Sequence, residues 1–395
     1  MSLKHQLLVS FGVQGAGAAS VLVATLWLGA SLGPEVQGGF SRSKSEVEFI
    51  AAFAMFGLPQ ALFFHVKSGG LNGRAALRWV MWSAIVALPI GAGYSLVQHR
   101  PAGALTLLLG LTVAAGVAQG ELRALLLVRE RTGWFNAVTA LPQVLVLAGV
   151  GLVIAAAFVP SPSTWFIVFA LAFGVTALLA WRRLHATLDA VGASPVGWRA
   201  LSHYGLAAWL TAALSTAAIL AMQRWVEAAE GRAALGQFTL AMTLVQVPLT
   251  PISYAAPLLF RRWMEWPGAH ASRRWSGSLF LMLLAIAALV AMLSTRWPDL
   301  GLGAAYAGAT QALALLLVGG AAEAASRVLT VQASATGLPW VAVRAEAMRW
   351  SVLAVGWLAP LPPGLLPLCA VWSAAAIAAA LVFAWYGRAA ARSAR

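Results

Sequence analysis

Glu323 and Arg327 stand four residues apart in GGAAEAASRVLTVQA (319–333), inside a run that otherwise has the composition of a membrane-spanning helix. That spacing places both side chains on one helix face, acid before base, which is the better order for an intrahelical pair. Facing lipid, each charge would cost roughly 2.5–3.5 kcal/mol, so the pair belongs in a bundle interior or a water-filled cavity. Two chemistries are open. The pair can neutralise itself for packing, with Arg327 reaching toward the nearby helix end, or it can line a cavity where Arg327 meets an anionic headgroup and Glu323 carries a coupling ion. Arg349 lies about halfway along the next apolar run and is the best-placed single candidate for contact with an anionic group such as phosphate. Its planar fork grips phosphate oxygens in bidentate fashion and stays charged. Arg123 and Arg224 are further substrate-contact candidates, although both lie near span ends where snorkelling accounts for them. Glu121 is the acid well inside the N-terminal half, and with Glu323 it is a candidate carrier of H⁺ or Na⁺.

The elements that must position these groups follow from composition. Of the 395 residues, 61% are hydrophobic and 10% charged, and the mean hydropathy is +0.81, the profile of an all-α polytopic membrane protein. Apolar runs predict twelve spans, near 6–30, 45–66, 79–98, 103–128, 135–158, 163–181, 204–226, 234–258, 277–295, 305–332, 338–359 and 365–386. The first lacks a short apolar core followed by a small-residue cleavage site and is expected to be a retained helix. Cys369 is the sole cysteine, which excludes an intramolecular disulfide and leaves no cysteine cluster for a metal; its apolar context suits packing. The net charge of +14 could suggest nucleic acid, but its distribution argues otherwise. With both termini cytoplasmic, 17 of the 26 Lys and Arg fall on inner loops, five on outer loops and four within spans. Basic residues thus alternate as the positive-inside rule requires, with anionic membrane lipids as their counter-charge and no nucleic-acid partner.

The polar segment 181–205 divides six runs from six, giving an N-terminal bundle over 1–190, a cytoplasmic linker over 191–202 and a C-terminal bundle over 203–395. A shift of 198 residues aligns Trp27 with Trp225, Gly38 with Gly236, Phe40 with Phe238 and Pro59 with Pro257, which favours a duplication. Such repeats, related by an axis along the membrane normal, place a transported ligand at their interface. Pro59, in FGLPQALFF, and Pro248, Pro251 and Pro257, in VQVPLTPISYAAPLLF, are expected to bend the second span of each half, either as static kinks or as gates.

The run LGPEVQGGFSRSKSEVEFIAAFAMFGLPQALFFHV (32–66) resembles the first-loop and second-helix signature of O-antigen and polysaccharide flippases, in the multidrug/oligosaccharidyl-lipid/polysaccharide exporter superfamily. A similar run occupies 224–260, and ASATGLPWVAVRAEA (333–347) follows the same hydropathy between the tenth and eleventh spans. The resemblance implies two six-helix bundles forming a V around a central cavity, in a bacterial inner membrane. It also implies a flippase that moves undecaprenyl-diphosphate-linked oligosaccharide from the cytoplasmic to the periplasmic leaflet, alongside polysaccharide assembly proteins. The first helix offers only Gln14 where the lipid II flippase branch carries arginines, which speaks against lipid II. A cation-coupled multidrug exporter of the same superfamily is the near alternative, and a membrane glycan polymerase or ligase the distant one. There is no P-loop and no HExxH, and outer loops are too short for acceptor chemistry, so an enzyme is not expected and no cofactor beyond a coupling H⁺ or Na⁺ is implied.

Overall fold

A computed structural model describes residues 3–67, 70–99, 103–128, 132–186, 197–265, 271–294, 302–335 and 338–393. These form α1 (3–32), α2 (34–54), α3 (Leu58–Lys67), α4 (Gly73–Gln98), α5 (Ala104–Val128), α6 (Thr132–Ala155), α7 (Pro162–His185), α8 (198–230), α9 (232–265), α10 (Ala271–Ser294), α11 (Ala307–Ala335), α12 (Trp340–Leu358) and α13 (Leu365–Ser393). With α2 and α3 taken as two pieces of one span, this is an all-α membrane protein whose helices follow the twelve apolar runs. Helix is the element that satisfies its own backbone groups in lipid. Most of these helices are long and apolar enough to cross a bilayer. The α12 segment is less apolar because Arg344, Glu346 and Arg349 all lie on it.

Residues 32–44, expected as a loop, are instead helical apart from Gly33, where φ is 83° and ψ 174°. Pro34 follows at the first position of α2, where its missing N–H has no intrahelical partner to lose. The C-terminal half repeats the device at Gly231, with φ 85° and ψ 176°. Gly231 stands 198 residues after Gly33, so the shift that aligned side chains in the sequence also aligns this backbone turn. Phe40 and Phe238, matched by the same shift, are both buried.

The prolines behave differently in the two halves. In the N-terminal half the span is broken at Met55–Gly57, ahead of Pro59, with Phe56 at φ 46° and Gly57 at φ 71°. Pro59 therefore sits in the first turn of α3 and does not itself bend a helix. In the C-terminal half the backbone of α9 runs helical to Glu265 with no such break, although Pro248 lies within it. The side chains of Pro251 and Pro257 lie outside the described residues.

Contacts divide the chain into two units, each discontinuous in sequence: residues 1–24 with 42–217, and residues 25–41 with 218–395. Of the 191–202 linker, residues 191–196 lie outside the described residues and 198–202 already form the start of α8. The core of the first unit joins Leu58 and Leu62 of α3 to Leu77 of α4, Leu122 and Leu125 of α5 and Leu184 of α7. At the break the backbones of Gly57 and α8 come close: a Cβ on Gly57 would lie 2.2 Å from the carbonyl oxygen of Gly205. Trp209 on α8 donates its Nε1–H to the Phe53 carbonyl at 2.7 Å, adding to the long 3.4 Å bond that this carbonyl accepts from Phe56 N–H at the break.

In the second unit α11 packs on α10 and α13, and α12 packs on α13, whereas α11 and α12 scarcely touch through their backbones. The glycines of the 319–333 stretch explain the close approach of α11. A Cβ on Gly319 would meet the Ser373 backbone at 2.8 Å, and one on Gly320 would meet Val245 at 2.6 Å. Small residues at helix contacts serve this purpose in membranes.

Candidate functional site

The second unit brings Glu323, Arg327 and Arg349 together, as their types suggested, and adds residues the sequence did not single out. Glu323 and Arg327 share a face of α11 and pair at 3.5 Å between Oε1 and Nε. Arg327 also donates through Nη2 to Gln246 Oε1 on α9 at 2.9 Å. From α12, Arg349 donates through Nη2 to Glu323 Oε2 at 2.6 Å, and its guanidinium stands 5.6 Å from the ring centre of Trp372 on α13. Glu346, one turn before Arg349, places Oε2 3.2 Å from Arg349 Nε. That distance is an ion-pair distance, but the angle is poor, and neither atom completes a hydrogen bond. Arg349 is thus committed to Glu323 and only electrostatically associated with Glu346.

The cluster is therefore two carboxylates and two guanidiniums, formally neutral. Arg349 is 2% exposed and Glu346 8%, while the Arg327 side chain remains 30% exposed. An arginine gripped by one carboxylate, flanked by a second and lying over an indole has its electrostatic demand met within the protein. Glu346 was visible in VAVRAEAMRW as the acid three residues before Arg349; the pairing across α11 and α12 was not, because it depends on how both helices lean on α13.

The remaining candidates lie elsewhere. Arg123, in the first unit, stands over the Phe135 ring at 5.9 Å. Arg224, on α8, takes no part in the contacts just described. Glu121 is 0% exposed on α5, with Oε2 2.6 Å from Ser83 Oγ on α4 and Oε1 without a hydrogen-bond partner. Ser83 Oγ is also 3.0 Å from the Val80 carbonyl. A hydroxyl has one proton and the carbonyl can only accept. A carboxylic acid donating to Ser83 would complete both bonds, whereas a carboxylate would leave Ser83 to choose between two acceptors. Gln14 donates to Asn136 Oδ1 on α6, whose amide in turn donates to Ser10 Oγ at 3.0 Å. Among the described residues no group of three His, Cys, Asp or Glu is placed to hold a metal ion.

No protein-family model matches the sequence, and no curated protein matches it. Solved structures do match its fold. An inward-facing multidrug resistance MATE family transporter of the MOP superfamily aligns with a TM-score of 0.71 at 15% identity, covering 98% of each chain. A Vibrio cholerae MATE transporter aligns at 0.65 and 15% identity, over 98% of this chain and 97% of that one. A MOP superfamily transporter from Pyrococcus furiosus, whose structure is described as having a binding pocket of reverse polarity suggesting a different function, aligns at 0.66 and 15% identity over 98% and 94%. At such identity the likeness is one of fold: twelve helices arranged as in the MATE transporters, over nearly the whole chain.

Proposed function

We propose that the chain is a proton-coupled exporter of small molecules, of the multidrug kind, and that Glu121 carries the coupling proton. The observation that carries this reading is Glu121 itself, fully buried, bonded to Ser83 and without a cationic partner among the described residues. An acid kept inside a membrane domain without a counter-charge is costly unless it binds a cation in its working cycle. Hard metal cations take several oxygen ligands, whereas the Ser83 hydroxyl is the one side-chain oxygen bonded to Glu121, an arrangement that suits a proton. The cluster of Glu323, Arg327, Glu346 and Arg349 is internally neutral, which weakens it as a diphosphate cradle and suits a structural bridge. The likeness in fold to multidrug MATE transporters supports the same reading. The test is export of a fluorescent organic cation from proteoliposomes under an imposed pH gradient, with proton counterflow recorded. Glu121→Gln should abolish both at unchanged protein content, and Glu121→Asp should retain part of each. Normal coupled export by Glu121→Gln would overturn the proposal.

A second reading, export of undecaprenyl-diphosphate-linked oligosaccharide, is favoured by the partly exposed Arg327 and by the resemblance of residues 32–66 to polysaccharide flippases. Restoration of surface glycan in a flippase-deficient cell, lost with Arg327→Gln, would support it over the first.

A further inference from the structure

Where α8 ends at Glu230 and the turn between α12 and α13 passes over residues 359–364, the second unit holds a cleft of about 340 Å³. Trp225, Glu230, Trp357, Pro362, Pro363 and Gly364 define it. We propose that this cleft binds an alkylammonium group, an inference that does not rest on the exporter reading. Glu230 is the charged residue among those lining it, and no Lys or Arg shares the lining. Trp225 lies against α12, its Cη2 3.4 Å from where a Cβ on Gly356 would stand, and Trp357 is 74% exposed. Indole faces attract cations through the ring quadrupole, and a substituted ammonium adds alkyl groups that suit apolar walls. A carboxylate beside the indoles completes the recognition, since it offers charge to the cation while Pro362 and Pro363 offer only carbon surface.

The cleft is also held in shape. Glu230 Oε1 accepts the Gly364 N–H at 2.7 Å, which ties the α8 end to the turn. Gly364 has φ 116°, a backbone conformation that suits glycine, and the two prolines before it fix their own φ. The acid is thus positioned by the same turn that supplies the apolar wall. The ligand chemistry could come from a soluble organic monocation or from the ammonium headgroup of an aminophospholipid.

The experiment measures saturable binding of radiolabelled tetraethylammonium to the full chain in non-ionic micelles by scintillation proximity. Glu230→Gln is the informative variant, because its amide oxygen can still accept from Gly364 N–H while the charge is gone. It should weaken binding at least tenfold, and Trp357→Leu several-fold. Glu48→Gln, which removes a partly exposed carboxylate of the first unit, should bind the probe as the wild type does, which ties the effect to Glu230 rather than to loss of an acid in general. In nanodiscs, displacement of the probe by phosphatidylethanolamine but not by phosphatidylglycerol would assign the lipid headgroup as the occupant; undiminished binding in both would assign a soluble cation. Absence of saturable binding by the wild type, or equal affinity in the wild type and Glu230→Gln, would overturn the proposal.

Discussion

Arg349 on α12 holds Glu323 on α11 through an Nη2···Oε2 bond of 2.6 Å, and this bond joins two helices whose backbones scarcely meet. Both helices pack on α13 instead, and the guanidinium lies over Trp372 of that helix. Charge here supplements apolar packing, since Leu329 and Ala333 of α11 lie against a cluster that includes Val341, Ala342 and Ala345 of α12. Breaking a buried pair by removing one partner strands the other, whereas removing both leaves a less polar interior.

Glu323→Gln should therefore lower the apparent melting temperature of the purified protein markedly, by an amount equivalent to about 3–5 kcal/mol. The double replacement of Glu323 by Gln and Arg349 by Gln should lose less than the single change. A thermal-shift double-mutant cycle measures the difference. A double mutant less stable than either single would show that the two charges act independently.

Glu346 predicts the opposite pattern. It lies 3.2 Å from Arg349 Nε without completing a hydrogen bond. Glu346→Gln removes a Coulombic contact but no bond, and a neutral amide is easier to bury than a carboxylate. Its stability change should stay within about 1 kcal/mol, well below that of Glu323→Gln in the same assay. A loss as large as that of Glu323→Gln would mean that Glu346, too, holds Arg349 in place.

Much of this was legible in the sequence, and the gaps have physical causes. The twelve apolar runs marked the helices because lipid forces backbone groups to pair within a segment. Glu323 and Arg327 were readable as a pair because helical spacing is local. The bond between Glu323 and Arg349, and the meeting of Glu121 with Ser83, join positions 26 and 38 residues apart and depend on helix packing that no spacing encodes. The polar stretch 32–44 read as a loop because its Gly, Pro and charged residues are turn signals. The chain uses them for one abrupt corner at Gly33, and then buries Glu46 between Arg42 and His99 on α2.

The break before α3 gives a third prediction, in which glycine matters more than proline. Gly57→Ala combines a strained positive φ with a Cβ 2.2 Å from the Gly205 carbonyl oxygen, and Gly205→Ala meets the Gly57 carbonyl oxygen at 2.7 Å. Gly57→Ala should cost about 3 kcal/mol or more. Pro59→Ala should change stability by less than about 1 kcal/mol, because a first-turn proline forgoes no intrahelical hydrogen bond. Thermal melting of the three variants compares them directly. A destabilising Pro59→Ala with a silent Gly57→Ala would return the bend to the proline.

The last prediction uses the repeat. Gly33 and Gly231 adopt nearly the same backbone, φ 83° and ψ 174° against φ 85° and ψ 176°, a region that is essentially confined to glycine. A Cβ at either position meets nothing within 4 Å, so crowding adds nothing and the whole penalty of an alanine is backbone strain. Gly33→Ala and Gly231→Ala should each cost about 1–3 kcal/mol and should match one another closely, although no other residue need change. The segments that follow the two corners touch, Pro34 against Gly236 and Gly38 against Arg232, so their double mutant should depart from the sum of the two. The measurement is thermal melting of the purified single and double variants. Unequal single effects would show that the two corners, despite their shared geometry, are held by different surroundings. A silent pair would show that each helix corner can rearrange to a conformation alanine tolerates.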